Sequence, residues 1–176
     1  MEWQQEPDNI LWCVREDGQL AALTYQRSEA VVSWHRHILG GSFGSGNAVV
    51  ESIASISGVL NEDELWCIVK RTINGSTKRY VECFSDFNFD ETDATDFKFL
   101  DSHLTYSGSA TTSLSGLSHL EGQTVSILAD GSVHANKTVS SGSITLDRSV
   151  TKAVVGLSYD SVLQTMRIEG LSLIHI

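Results

Sequence analysis

The first residues in this chain that could do chemistry are Trp34-His35-Arg36-His37. On a strand, side chains two apart point to the same side, so His35 and His37 offer two imidazoles to one metal ion. A tetrahedral shell needs further ligands, and the next histidines, His103, His119 and His134, are far along the sequence. Two histidines packed edge-on in a strand are the plainer expectation. Gly40-Gly41-Ser42-Phe43-Gly44 has the letters of a nucleophile elbow. That motif works only when its serine sits on a strained strand-to-helix turn, whereas Val49-Val50-Glu51-Ser52-Ile53 reads as another strand. Asp86, Asp90, Asp93 and Asp96 lack the spacing and the glycine of a calcium loop. Cys13 and Cys67, each beside a tryptophan in an apolar run, read as inert core thiols. No catalytic constellation, cofactor site or metal set assembles from these residues, and a non-enzymatic role is expected.

The elements that hold these residues read as strands. Pro7 is the only proline, while 14 glycines and many Ser and Thr punctuate short apolar runs. Ile10–Val14 and Leu65–Val69 are about five residues each, rich in β-branched and aromatic side chains, and read as strands covered on both faces. Val125, Ile127 and Ala129 alternate with Ser126 and Leu128 and run into Asp130-Gly131. Asp17-Gly18 and Asn74-Gly75 repeat that hairpin signal, in which glycine supplies the positive φ of a tight turn.

Asn9-Ile10-Leu11-Trp12-Cys13 is echoed 54 residues later by Asp63-Glu64-Leu65-Trp66-Cys67. Each copy continues through a DG or NG turn into another strand, Leu20–Tyr25 in one and Arg79–Phe84 in the other. Self-similar units of several strands are the sequence mark of propeller blades, of which a closed ring needs about 4–8. All four tryptophans lie in this half, and Trp12 and Trp66 are expected on equivalent strands of adjacent sheets, both buried.

The expectation is therefore an all-β chain: a partial β-propeller of about two antiparallel blades (1–85), an acidic linker (86–96) and a small β-sandwich or barrel-like domain (97–170) of six or so short strands. The linker carries five acids and no base, which keeps such a segment solvated. Leu171-Ser172-Leu173-Ile174-His175-Ile176 resembles the translation of an adapter used in DNA library preparation, and is excluded from fold reasoning.

With 12 basic and 22 acidic residues the net charge is −10, against a partner held by phosphate neutralisation. No apolar run reaches the ~20 residues of a membrane helix. The acidic start, Met1-Glu2-Trp3, is unlike a secretory signal, and three cysteines give no disulfide framework.

Several strings have a family likeness. Trp3-Gln4-Gln5-Glu6-Pro7-Asp8, Leu11-Trp12-Cys13-Val14-Arg15, Leu23-Thr24-Tyr25-Gln26-Arg27 and Trp34-His35-Arg36-His37 resemble a large family of bacteriophage tail proteins. Glu64-Leu65-Trp66, Val69-Lys70-Arg71-Thr72-Ile73-Asn74-Gly75, Arg79-Tyr80-Val81-Glu82 and Gly116-Leu117-Ser118-His119-Leu120-Glu121-Gly122-Gln123-Thr124-Val125 continue the likeness, which spans nearly all of residues 3–169. The family resembled is that of the nozzle, or stubby-tail tubular, proteins of short-tailed phages.

That resemblance implies an internal piece of a longer ring subunit at the distal end of a virion tail, assembled in the host cytoplasm. Its partners would be further copies and neighbouring tail proteins, with viral DNA passing and not being held. No catalytic residue comes with the resemblance. The residues expected at interfaces or in structural roles are Trp12, Trp34, His35, Arg36, His37, Trp66, Arg71 and Tyr80. The alternative is a glycan-binding module of a tail spike or adhesin, in which Trp3, Trp12, Trp34 and Trp66 stack on sugars. A partial ring also predicts that residues 1–85 expose an apolar face where the next blade would pack, while residues 97–170 close a core alone.

Overall fold

A computed structural model of the chain describes residues 1–58, 62–85 and 93–164. Most of the expected linker and all of the adapter-like hexapeptide lie outside the described residues. The described residues are all-β, built from antiparallel sheets of which none closes into a barrel.

The first sheet has strands β1 (Glu2–Gln4), β2 (Ile10–Val14), β3 (Leu20–Gln26) and β4 (Val31–His37) in sequence order. A short ribbon of β5 (Ser42–Phe43) and β6 (Gly46–Asn47) follows. The second sheet is β7 (Val49–Ser57), β8 (Asp63–Ile73) and β9 (Ser76–Cys83), again in sequence order. Two turns set these registers in different ways. Asn74 and Gly75 both take positive φ, 48° and 71°, as a two-residue type I′ hairpin requires. At Asp17-Gly18 only the glycine does, and the Arg15 and Gly18 amides bond to the carbonyls of Gln19 and Arg15, which makes a longer, bulged loop.

These two sheets share one core. Trp12, Leu20 and Ala22 of the first pack with Val50, Leu65, Cys67 and Val69 of the second. The Val50 amide donates to the Gly18 carbonyl at 2.8 Å, and the Asp63 amide to that of Glu6 at 2.9 Å. Trp12 and Trp66 each lie on the second strand of a meander, β2 and β8. Their side chains do not correspond. Trp12 points into the core at 5% exposure, whereas in β8 the inward residues are Leu65, Cys67 and Val69 and the half-buried Trp66 points out. The expectation of two buried tryptophans is corrected by this phase: a strand has period two, so a one-residue offset moves a side chain to the other face. β8 likewise is not covered on both faces, since Ile68 is exposed.

The remaining strands form one sheet in the order β10-β13-β11-β12, with β10 (Asp101–Ser115), β11 (Thr124–Ala129), β12 (Ser132–Thr138) and β13 (Ser143–Leu157). In place of six or so short strands there are four among the described residues, two of them 15 residues long. Register shifts between Ser107 and Ser113 divide the long β10–β13 ribbon into differently paired stretches, and a bulge bends a strand without ending it. The polar, Gly-containing run Ser107–Thr112 thus reads as turns but is strand. Val125, Ile127 and Ala129 are all buried, as their alternation predicts, in a core with Leu114, Leu117, Leu120, Leu146 and Val155. Asp130 and Gly131 adopt the paired positive φ of the expected hairpin. The end of the acidic segment is not purely solvated: Asp96 pairs with Lys152 at 2.8 Å.

Candidate functional site

Alternation in the first sheet sorts its side chains into two faces. Trp12, Leu20 and Ala22 face the second sheet, so the residues between them face away. Cross-strand register then aligns Trp3 with Leu11, Leu11 with Leu23, and Leu23 with Trp34. One apolar row crosses all four strands. Tyr25 and Val32 form the row on one side of it, and Cys13, Ala21 and Arg36 the row on the other. Arg36 is the only charged residue among these nine. Trp3, Tyr25, Val32 and Trp34 are all exposed, Trp34 at 62%. Single exposed apolar residues are ordinary, but a contiguous patch marks a surface that something covers.

The inner face of the same sheet holds the histidines. His35 Nδ1 and His37 Nε2 are 2.7 Å apart and share a hydrogen bond, and His35 Nε2 is 2.9 Å from Thr24 Oγ1. The His35 ring meets Trp12 edge-on and the His37 ring meets it at a tilt, with centroids 6.1 and 5.1 Å away, and Phe84 closes the group at 5.5 Å from Trp12. Burial lowers the pKa of His35, and burial followed by the neighbouring His35 lowers that of His37 to about 4. The pair is neutral at pH 7. The strand does bring the two imidazoles together, but among the described residues no group of three or more His, Cys, Asp or Glu forms a metal-binding cluster.

Arg71 is the largest fully buried side chain. Its two terminal nitrogens face the Glu82 carboxylate, Nη2 to Oε2 at 3.1 Å, and its Nε donates to the Gly40 carbonyl at 2.8 Å. The Gly40 amide in turn donates to Asp101 Oδ2 at 2.6 Å. Burial raises the Asp101 pKa, with the Gly40 hydrogen bond and Arg71 opposing it. This clasp ties the second sheet and the Leu39–Gly41 loop to the start of β10. Gly41 is required there: with φ 92°, a Cβ would lie 2.9 Å from Arg71 Cδ. The Gln123 side-chain Nε2, donating to the Thr72 carbonyl at 3.4 Å, adds a further tie between the two parts, and the Tyr80 ring lies edge-on to His119 at 6.3 Å.

Of the residues singled out from sequence, Trp12, His35 and His37 form one inner cluster, and Trp34 and Arg36 lie on the opposite, exposed face. Arg71 is a buried structural ion and Tyr80 sits beside the same junction. Trp66 belongs to the outer face of the second sheet, its Nε1 donating to Glu64 at 2.8 Å. Sequence reasoning missed Glu82, Gly40 and Asp101. Inward phase was the available signal for the first, since Arg71 lies between the buried Val69 and Ile73 and a buried guanidinium needs an acid. Ser42 lies in β5, paired with Asn47, and not on a strand-to-helix turn. Cys67 is buried, and burial pushes its thiol up to about 12, far from a nucleophile.

Compared with family models and with curated proteins, the chain matches none.

Proposed function

We propose that this chain is a structural component of a bacteriophage tail, a nozzle-like ring subunit whose sheets pack against further protein in the assembled particle. The observation that carries the reading is the outward row Trp3–Leu11–Leu23–Trp34, which gives the first sheet two apolar faces where a free-standing sheet needs one. A partial ring of blades is expected to have such a face. The tail-protein strings supply the identity of the particle. The net charge of −10 suits a conduit that lets DNA slide and does not bind it.

A glycan-binding module is the second reading, favoured by Trp3, Tyr25 and Trp34 on one exposed face. Two tryptophans share that face, the other two being on the inner face and on another sheet. Ligand recognition also needs placed polar groups among the apolar ones, and Arg36 is the only charged group in this patch. The assembly reading accounts for the face better.

The genes flanking the parent sequence test the proposal. Portal, tail-adaptor or lysis genes are the expected neighbours, and a metabolic operon would contradict it.

A further inference from the structure

One titratable side chain stands where the alternation of its strand calls for an apolar one. β12 is an edge strand of its sheet, and among its residues only His134 is buried, at 6% exposure. It lies opposite the buried Ile127 of β11. From there its ring reaches a corner of β13. Register pairs Thr145 of β13 with Ser113 and Val150 with Thr111, so β13 bulges between them. Asp147 sits in that bulge, in the exposed run Asp147–Ser149.

The hydrogen bonds of the ring fix its protonation. The Asp147 backbone amide donates to His134 Nε2 at 3.0 Å, and an amide N–H cannot accept, so Nε2 carries no proton. Nδ1 lies 2.8 Å from the Ala135 carbonyl, which cannot donate, so Nδ1 carries it. The ring is the neutral Nδ1–H tautomer, and both of its nitrogens are used. A protonated ring would set an N–H against the Asp147 N–H and lose that bond.

A replacement partner stands beside it. Asp147 Oδ2 is 3.6 Å from Nε2, too far for a hydrogen bond, while Oδ1 accepts from Lys137 Nζ at 2.5 Å. That bond from Lys137 holds the Asp147 carboxyl below its ordinary value, so it is an anion at neutral pH. Arg148, next along β13, is engaged elsewhere, by the Ala129 carbonyl and by Asp130 at 3.5 Å. Neither β11 nor the stretch Thr111–Ser113 of β10 contains an ionisable residue.

We infer that His134 is a proton-operated pin. Neutral, it holds the bulged corner of β13 to the edge strand β12 through the Asp147 amide. Protonated at Nε2, it donates to the Asp147 carboxylate, and the amide passes to solvent, which the exposed corner admits. The corner then loosens while the core on either side keeps its packing. The device belongs to the fold and holds whatever particle the chain serves.

Nuclear magnetic resonance of the full chain tests this at one site. Ring nitrogen shifts are expected to show the Nδ1–H tautomer of His134 at pH 8. As acid protonates the ring, exchange protection of the Asp147 amide, corrected for its intrinsic rate, is expected to fall about tenfold, the worth of one hydrogen bond. Protection of Val155, paired with Ile127 in the ladder, is expected to hold over the same range. In His134→Gln, whose side-chain carbonyl accepts and does not titrate, Asp147 protection is expected to stay constant. If that variant does not fold, the wild-type measurements decide alone. An Nε2–H tautomer or a charged ring at pH 8 overturns the inference. So does Asp147 protection that is unchanged through the titration of the ring, or that falls in step with Val155, since the whole sheet would then be loosening. An equal loss in His134→Gln, or a ring that stays neutral until the chain unfolds, overturns it as well.

Discussion

Arg71 is fully buried, and both terminal nitrogens of its guanidinium face the carboxylate of Glu82, which keeps 18% of its side-chain surface in contact with solvent. The Gly40 carbonyl takes a further donor of the guanidinium, so the charge is held by groups from separate elements. Removing one partner of such a pair leaves an uncompensated ion inside the protein. Glu82→Gln is expected to cost about 3 kcal/mol, the low end for a broken buried pair because Glu82 is partly solvated. Replacing both, as Arg71→Met with Glu82→Leu, is expected to recover most of that loss. Urea unfolding of the two variants measures the difference.

The His35–His37 pair makes stability depend on pH. The folded pKa of His37 is lowered to about 4 from 6.5, so between these values the unfolded chain binds more protons than the folded one. Stability is therefore expected to fall as pH drops from 6.5 toward 4. Asp101, whose pKa is raised mainly by burial, acts in the opposite sense above its ordinary 3.8. Glu51, lowered to about 2 by hydrogen bonds from Arg79 and Lys70, loses its contribution only below its ordinary 4.5. Urea midpoints from pH 7 to 5 are expected to decline for wild type and to decline less for His37→Phe.

Two hairpin glycines separate backbone strain from crowding. Gly75 has φ 71° and nothing within 4 Å of where a Cβ would stand. Gly75→Ala is expected to cost about 1 kcal/mol from conformation alone. At Gly18, with φ 78°, the added Cβ would lie 2.5 Å from Val49 Cγ1, beside the shared core. Gly18→Ala is expected to lower the thermal midpoint clearly more than Gly75→Ala, as calorimetry of the two variants would measure.

The core around Leu120, Val125 and Val155 draws only on residues from Leu104 to Leu157, whereas the first two sheets carry apolar faces on both sides. A fragment of residues 93–164 is expected to unfold cooperatively with protected amides. A fragment of residues 1–85 is expected to aggregate or to exchange rapidly. Separate expression and amide hydrogen exchange check both, and a monomeric, cooperatively unfolding 1–85 fragment would contradict the open-ring reading.

Where local chemistry decides, the sequence is a sufficient guide. Asn74-Gly75 and Asp130-Gly131 fix hairpins through the φ their residues tolerate, and the alternation at Val125, Ile127 and Ala129 assigns a buried face. What register decides is not legible in the same way. The run Leu65-Trp66-Cys67-Ile68-Val69 looks apolar on both sides, and only packing against the first sheet chooses Leu65 over Trp66 as the inward residue. Trp3 and Trp34 stand 31 positions apart and become ends of one row through three successive pairings. The Asp101–Gly40 hydrogen bond joins residues 61 apart through a loop whose path no local motif specifies.

The proposed role as part of a phage tail can be checked on the particle itself. Immunogold electron microscopy of particles released by the host of the parent gene, with antibody raised against the purified chain, tests it most directly. Gold is expected at the end of the tail distal to the capsid. Particles that carry no label while the antibody detects the protein in the infected cells would contradict it.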